Sequence, residues 1–395
     1  MPWLLQMTLL VSSLMIPAVL YLIWRFYTTG QQLPFGTKKN AFIIPLILCS
    51  FFCFPIVGFF DFYFSAQIDV LKYPKPLTYW FWFGLIVVFQ LATWVLVADV
   101  IKLLSRLLDW HRIRIARLHT YAFIVLFVSI FCYSGWKVYH DTTHVVTDHI
   151  SMSVEELPES LEGFKVVHIS DIQADEYTGR SEIANYVRQI NEQNPDLVIF
   201  TGDLISYGTD FIQMAAEEFG KAEATYGTYA VVGDHDYWAG TKNVEQALEE
   251  NGMPLLKDEN STMAIDSSSS MMLTGITEVY SKQSDPKTVD SLARHAQNTA
   301  LKIMASHQVD EHLIQSSKKY GFDMLLAGHT HGGQIQVPFM GMEFSAAAQE
   351  TKYVSGLYHE KDLPINVNNG LGFTLGPIRY NAPPTITVIE LQSEN

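Results

Sequence analysis

The chain has 395 residues, 48% of them hydrophobic and 17% charged, and a formal net charge of −15. That charge is split, because residues 1–150 carry 11 Lys and Arg against 6 Asp and Glu while residues 151–395 carry 15 against 35. An acidic second half argues against nucleic acid as a partner, since phosphates need basic surface to replace their counterions, and it suits a site that collects cations.

Four apolar segments come first in the chain, at 3–24, 41–64, 78–98 and 119–136, nearly free of charge apart from Asp61. Each has close to the ~20 residues with which a helix crosses a hydrocarbon core. A removable signal peptide fits poorly, because no basic residue precedes the first segment and three like it follow. Tyr79, Trp80, Trp82, Trp94 and Trp136 fall toward segment ends, where amphipathic rings favour the interface. Residues 1–136 therefore read as four transmembrane helices of a multi-pass protein of the cell membrane, with the lipid bilayer as a partner. All three cysteines, Cys49, Cys53 and Cys132, lie in these segments, so the polar half has no thiol for a disulfide.

Loop charge orients the helices. Arg25, Lys38 and Lys39 follow the first segment and Lys102, Arg106, Arg112, Arg114 and Arg117 follow the third, against Lys72 and Lys75 between the second and third. The positive-inside rule puts the richer loops in the cytoplasm, and both termini and the acidic half outside it. Residues 137–163 read as a polar linker without a sustained apolar period, and its His140, His144 and His149 as solvated residues near the membrane rather than a metal site.

From Phe164 the pattern changes. Short runs rich in Val, Ile, Leu and Phe occur at 164–170, 196–201, 228–233, 271–276, 301–305, 323–327, 364–367 and 385–391, and amphipathic stretches such as Glu182–Asn194, Phe211–Thr225, Val244–Asn251 and Glu311–Lys319 lie between several of them. Such alternation predicts an α/β fold with sheet packed between helices. Ligands of such folds sit beyond the carboxyl ends of the strands. The residues there are Ser170-Asp171-Ile172-Gln173, Gly202-Asp203, Gly233-Asp234-His235-Asp236, Ser306-His307 and Gly328-His329-Thr330-His331-Gly332-Gly333-Gln334.

Any one of these is unremarkable, since Gly-Asp is a common turn and His-x-His a common surface pattern. Five in register predict convergence of oxygen and imidazole donors at one sheet edge. Two divalent cations held close together need a carboxylate between them to offset their repulsion, with Asp and His ligands outside it. Glycine before Asp203, Asp234 and His329 is expected to bend the chain sharply at the strand end.

With these motifs in this order, residues 164–391 resemble the calcineurin-like metallophosphoesterases. The terminal stretch, from Tyr353-Val-Ser-Gly-Leu-Tyr through Gly370-Leu-Gly-Phe to Pro377-Ile-Arg-Tyr-Asn-Ala-Pro-Pro, is similar to the bacterial membrane-associated branch. The resemblance implies a sandwich of two packed β-sheets flanked by helices, a pair of divalent cations (Mn, Fe, Zn, Co or Mg) as cofactors, and a phosphorylated small molecule or lipid as substrate. It implies Asp203 as the bridging ligand, Asp171, Gln173 and His331 on one cation, and Asp234, His307 and His329 on the other. His235 would steady the phosphoryl group or protonate the departing oxygen, with Asp236 orienting it. Water activated on the cations would be the nucleophile, so no Ser or Cys nucleophile is required.

Two positions depart from the family pattern. Gln173 stands where the family usually has His, although its amide oxygen can still ligate, and the manganese-dependent ADP-ribose/CDP-alcohol diphosphatases of the same superfamily look similar here. Asp234 stands where it usually has Asn, which lowers the formal charge of two cations plus carboxylates from about +2 to about +1 and disfavours a highly charged monoester more than a diester or diphosphate. The expected activity is therefore hydrolysis of a phosphodiester, diphosphate or lipid-linked phosphate. The alternative is a catalytically impaired metal-binding protein that senses a phosphorylated ligand. Arg379 is open to either a phosphate contact or a structural ion pair, and Gly332-Gly333-Gln334 to either a phosphate cradle or a turn.

Overall fold

The computed structural model describes residues 3–30, 42–65, 75–107, 112–295, 299–339 and 342–394. Lys38, Lys39 and Lys72, on which the loop-charge argument partly rests, lie outside the described residues. The chain divides into two compact units, one of Met1–Thr142, Val337–Glu343 and Leu375–Asn381, the other of Thr143–Gln336, Phe344–Thr374 and Ala382–Asn395.

The first unit is helical, with α1 (Trp3–Gly30), α2 (Ile43–Ser50), α3 (Cys53–Ser65), α4 (Lys75–Leu107) and α5 (Arg112–Thr143). Three of these are long and apolar enough to cross a membrane, or four spans result if α2 and α3 count as one. The second segment is thus not a single straight helix: α2 and α3 meet at a bend of 45°. Pro55, in the first turn of α3, has no N–H to donate to the carbonyl four residues back, so the ladder is interrupted at Phe51, while the Ile56 N–H still donates to the Phe52 carbonyl at 3.0 Å. Tight packing holds the unit together, as at Gly84, where a Cβ would lie 2.3 Å from the ring of Phe51. Polar side chains pair inside it. Asp99 accepts from Tyr21 at 2.7 Å and pairs with Arg25, and Gln90 donates to Ser134 and to Tyr380 at 3.0 and 3.1 Å.

The second unit is built on two six-stranded sheets. In the first, β1 (Val146–Val154), β2 (Lys165–Ile169), β3 (Leu197–Phe200), β4 (Thr228–Val231), β5 (Leu255–Leu256) and β14 (Thr385–Ser393) run in the order β1-β14-β2-β3-β4-β5. In the second, β6 (Glu259–Ala264), β7 (Ser270–Ile276), β8 (Leu301–Ser306), β9 (Met324–Ala327), β12 (Gly356–Glu360) and β13 (Leu363–Val367) run in the order β12-β13-β9-β8-β7-β6. A separate hairpin pairs β10 (Val337–Phe339) with β11 (Met342–Phe344).

Alternation along each strand explains why the runs are apolar throughout. Val166, Leu197, Ile199 and Val231 join Leu273, Ile303 and Leu326 in a core between the sheets. Their neighbours Val167, Val198, Phe200 and Ala230 face outward into a second core with α6 (Arg180–Asn191), α7 (Ile212–Phe219) and α8 (Asp234–Glu250). The outer face of the second sheet packs in the same way on α9 (Pro286–His295) and α10 (Glu311–Lys319). Strands covered on both faces carry no polar side, which is why they appear as unbroken apolar runs. This is the expected sandwich of two sheets flanked by helices.

Residues 137–163 are not a linker. Residues 137–143 complete α5, and β1 pairs in parallel with β14 over nine residues from Val146↔Thr385 to Val154↔Ser393. The strand was obscured because His149, Ser151 and Ser153 line one face of a sheet edge and Asp148 opens the other; Ile150, Met152 and Val154 carried the period of two. Residues 337–339 and 375–381, within the stretch 164–391 read by sequence as the phosphoesterase-like region, group with the helical unit.

Candidate metal centre

Parallel pairing of β2 with β3 and β3 with β4 in one sheet, and of β7 with β8 and β8 with β9 in the other, points the carboxyl ends of each set one way. Two hydrogen bonds stitch the ends together across the sandwich. The His329 backbone N–H donates to Asp171 Oδ2 at 2.9 Å, and His307 Nδ1 donates to the Thr201 carbonyl at 2.7 Å. The second bond leaves Nε2 of His307 as the atom facing the centre, a ring orientation fixed by the partner of its other nitrogen.

The glycines act differently from the expected bend. Of Gly202, Gly233 and Gly328, only Gly202 has a left-handed φ, +91°. At Gly233 a Cβ would lie 2.1 Å from Asp203 Oδ1, and at Gly328 one would lie 1.7 Å from Ser170 Oγ. Glycine is needed at these two places for the loops to approach each other. The left-handed conformations fall instead on the acidic, amide and imidazole residues: Asp171 (49°), Gln173 (50°), Asp203 (63°), His329 (69°) and His331 (51°). Each costs about 1 kcal/mol or more for a residue with a side chain. Five such residues at one sheet edge mark a place where the chain is held in a strained form for the sake of its side chains.

Those side chains converge. Asp171, Asp203 and His307 each bring a ligand atom within 4.8 Å of the others, and so do Asp234, His307 and His329. His307 Nε2 lies 3.4 Å from Asp203 Oδ2 and 3.7 Å from Asp234 Oδ2, His329 Nδ1 lies 2.8 Å from Asp234 Oδ2, and His331 Nε2 lies 3.1 Å from Asp171 Oδ1. Gln173 reaches the same place and donates its amide N–H to Asp203 Oδ2 at 2.7 Å.

Asp171, Asp203 and Asp234 are 0–2% exposed, and among the described residues their ion-pair partners are all histidines. Burial pulls the His307 imidazole down, but the charge of Asp203, Asp171 and Asp234 outweighs it and holds His307 well above its ordinary value. Burial also opposes His329, yet its hydrogen bonds to Asp234 and Glu350 push it up to about 9. Three buried carboxylates thus demand positive charge. Divalent cations would meet that demand and displace the imidazole protons. Gln173 Oε1 is buried with no hydrogen-bond partner, and Asp171 Oδ1 and His307 Nε2 have only the ion-pair contacts given above, so ligand atoms of all three chemical kinds are free to take a cation. Carboxylate, amide oxygen and imidazole without thiolate suit Mg, Mn, Fe, Co or Zn.

His235 sits at the rim, its side chain 16% exposed and its Nε2 4.0 Å from Asp203 Oδ2. Its Nδ1 is held by the Ser206 carbonyl, not by Asp236. Asp236 was expected to orient that imidazole, and it is buried elsewhere. It accepts backbone N–H bonds from Asp203 at 2.8 Å, Leu204 at 2.9 Å and Gly233 at 3.0 Å, so it pins the Asp203 loop to the first turn of α8.

Three further residues touch the centre. Gln308 donates to Asp234 Oδ2 at 3.1 Å, Glu350 Oε1 lies 3.2 Å from His329 Nε2, and the Tyr280 N–H donates to Asp234 Oδ1 at 2.5 Å. Gln308 is signalled by its place next to His307; Glu350 and Tyr280 follow no motif. Gly332 and Gly333 form a turn with φ of +60° and +77°, and Gln334 accepts from the Thr374 N–H at 2.8 Å. Arg379 is fully buried within the helical unit.

Residues 164–333 match the model of the calcineurin-like phosphoesterase family. The chain carries a calcineurin-like metallophosphoesterase domain. It is similar to the uncharacterized metallophosphoesterase YkuE of Bacillus subtilis (strain 168), with 28% identity over 66% of this chain and 90% of the relative. It is also similar to the transmembrane protein with metallophosphoesterase domain of Danio rerio, with 27% identity over 62% of this chain and 56% of that protein. To phosphodiesterase YaeI of Escherichia coli (strain K12) the identity is 25%, over 58% of this chain and 82% of the relative. The family match and the phosphodiesterase relative support a metal-dependent phosphoesterase, a hydrolase of phosphoric ester bonds.

Proposed function

We propose that the chain is a membrane-anchored phosphohydrolase with two divalent cations, cleaving a phosphodiester, diphosphate or lipid-linked phosphate bond. One observation carries the reading: three buried carboxylates gathered with His307, His329 and His331, with the unpartnered amide oxygen of Gln173 among them. Asp171, Gln173 and His331 would hold one cation, Asp234, His307 and His329 the other, with Asp203 shared. When bound, such cations polarise a phosphoryl oxygen and let coordinated water ionise near neutral pH.

The remaining work belongs to the chain. The Ser206 carbonyl accepts a hydrogen bond from His235 Nδ1–H, which leaves Nε2 as the other ring nitrogen; in the imidazolium form its N–H would supply the proton to the departing oxygen. Asp236 holds the loop that presents Asp203. Asp234 adds a negative charge that favours a singly charged diester over a doubly charged monoester, and the name of the Escherichia coli relative agrees with that choice. The apolar helices and the transmembrane relative support the anchor. Loop charge supports a catalytic domain outside the cytoplasm, which protease accessibility in intact cells tests.

The activity is tested with the full chain in detergent, supplied in turn with Mn, Fe, Zn, Co and Mg and offered bis-p-nitrophenyl phosphate. Turnover with at least one metal, reduced more than about 100-fold by Asp203→Asn, is expected. Metal uptake without turnover would favour the phosphate-sensing alternative, and absence of metal uptake would end both.

A further inference from the structure

Among the described residues of the second unit, six large hydrophobic side chains are exposed: Tyr207, Tyr237, Trp238, Tyr280, Phe344 and Leu357. Four of the six belong to chain segments that touch the candidate metal centre. Tyr207 follows Ser206, whose carbonyl holds His235. Tyr237 and Trp238 follow His235 on the first turn of α8, and the Trp238 ring lies 5.0 Å from the His235 ring. Tyr280 donates its backbone N–H to Asp234, and Trp238 Nε1 donates to Ser281 at 2.7 Å, tying the α8 turn to the loop that carries Tyr280. Trp238 is 56% exposed and Tyr280 76%. Rings left this open would not be gathered by the folding of the sandwich, which buries its apolar residues in the three cores between its layers.

We propose that Tyr207, Tyr237, Trp238 and Tyr280 form a substrate-selecting collar that takes the hydrocarbon chain of an amphiphilic phosphodiester. The inference rests on the phosphohydrolase reading above and names its substrate class. All four side chains are Tyr or Trp, with an apolar body and a polar tip, the kind that settles where hydrocarbon meets headgroup. Only His144 and Val145 separate α5, a helix long and apolar enough to cross a membrane, from β1 of the catalytic unit. The surrounding half of the chain, with 15 Lys and Arg against 35 Asp and Glu, repels polyanions and leaves apolar contact as the means of gaining affinity for a singly charged diester.

The test uses the full chain in one detergent with the methyl, butyl and octyl esters of p-nitrophenyl phosphate, in which water displaces p-nitrophenolate and leaves the alkyl monoester. Burial of each methylene should raise kcat/KM by about two- to fourfold. Trp238→Ser combined with Tyr280→Ser should flatten that dependence, whereas Leu357→Ser, an exposed apolar residue on β12 of the second sheet, should leave it as steep as in the parent. Comparison at equal detergent removes partitioning of the esters into micelles, which is the same for every variant. A parent that turns over all three esters equally overturns the collar and spares the phosphohydrolase reading. So does a thymidine 5′-p-nitrophenyl phosphate preference lost in the double variant, since the collar would then stack a base. If no ester turns over, the phosphohydrolase reading fails, and the collar is judged by calorimetry with dialkyl phosphorothioates, where affinity independent of chain length overturns it.

Discussion

His168 lies next to the carboxyl end of β2, fully buried, with Nδ1 2.7 Å from Asn366 Oδ1 and Nε2 3.0 Å from Thr201 Oγ1. The amide oxygen only accepts, so Nδ1 carries the proton and Nε2 accepts from the threonine hydroxyl in a neutral ring. Burial lowers its pKa from 6.5 to about 4, outweighing the Asn366 hydrogen bond and the charge of Asp171. The unfolded chain takes up a proton below 6.5 that the folded chain refuses until about 4. The contribution of this residue is therefore complete above 6.5, falls as the pH drops from 6.5 to 4, and is worth about 3 kcal/mol over that window. For a unit of this size that is about 6–12 °C of melting temperature. The measurement is thermal unfolding of the full chain in detergent and EDTA from pH 7 to pH 4, parent against His168→Gln. Glutamine loses some stability at pH 7 but removes the titrating group, so the two curves should converge as the pH falls. Parallel curves would refute the assignment of a buried neutral imidazole.

Asp236→Asn leaves one oxygen for three backbone N–H groups and should lower the melting temperature and the activity together; unchanged melting with reduced kcat would return Asp236 to orienting His235. Gly328→Ala drives a methyl to 1.7 Å from Ser170 Oγ and 2.6 Å from Asp171 Oδ2, which should cost about 1–3 kcal/mol, and adding Ser170→Gly should restore part of it in the same unfolding assay. Metal affinity should rise with pH up to about 9, because His329 must give up its proton to ligate, and calorimetry in buffers of different ionisation enthalpy should register the released protons. EDTA should lower the melting temperature of the metal-loaded chain, and Asp203→Asn should shrink that drop, since the cations bind only the folded cluster.

The sequence by itself determined the candidate metal ligands, because each contributing motif is a few contiguous residues at the end of a strand: Asp171 and Gln173, Gly202-Asp203, Asp234, His307, His329 and His331. Apolar runs placed eight of the strands for the same reason, since strands covered on both faces announce themselves without help from distant residues. Other features depend on pairings far apart in the chain. Only the tertiary structure decided that β1 completes a sheet with β14, that residues 375–381 belong with the helices, and that Asp236 braces the Asp203 loop while Ser206 holds His235. It also decided that the glycines make room for neighbouring loops while Asp171, Asp203 and His329 take up the left-handed turns. A motif names the donor atoms, but a carbonyl such as that of Ser206 or a carboxylate such as Glu350 looks like any other until folding brings it beside its partner.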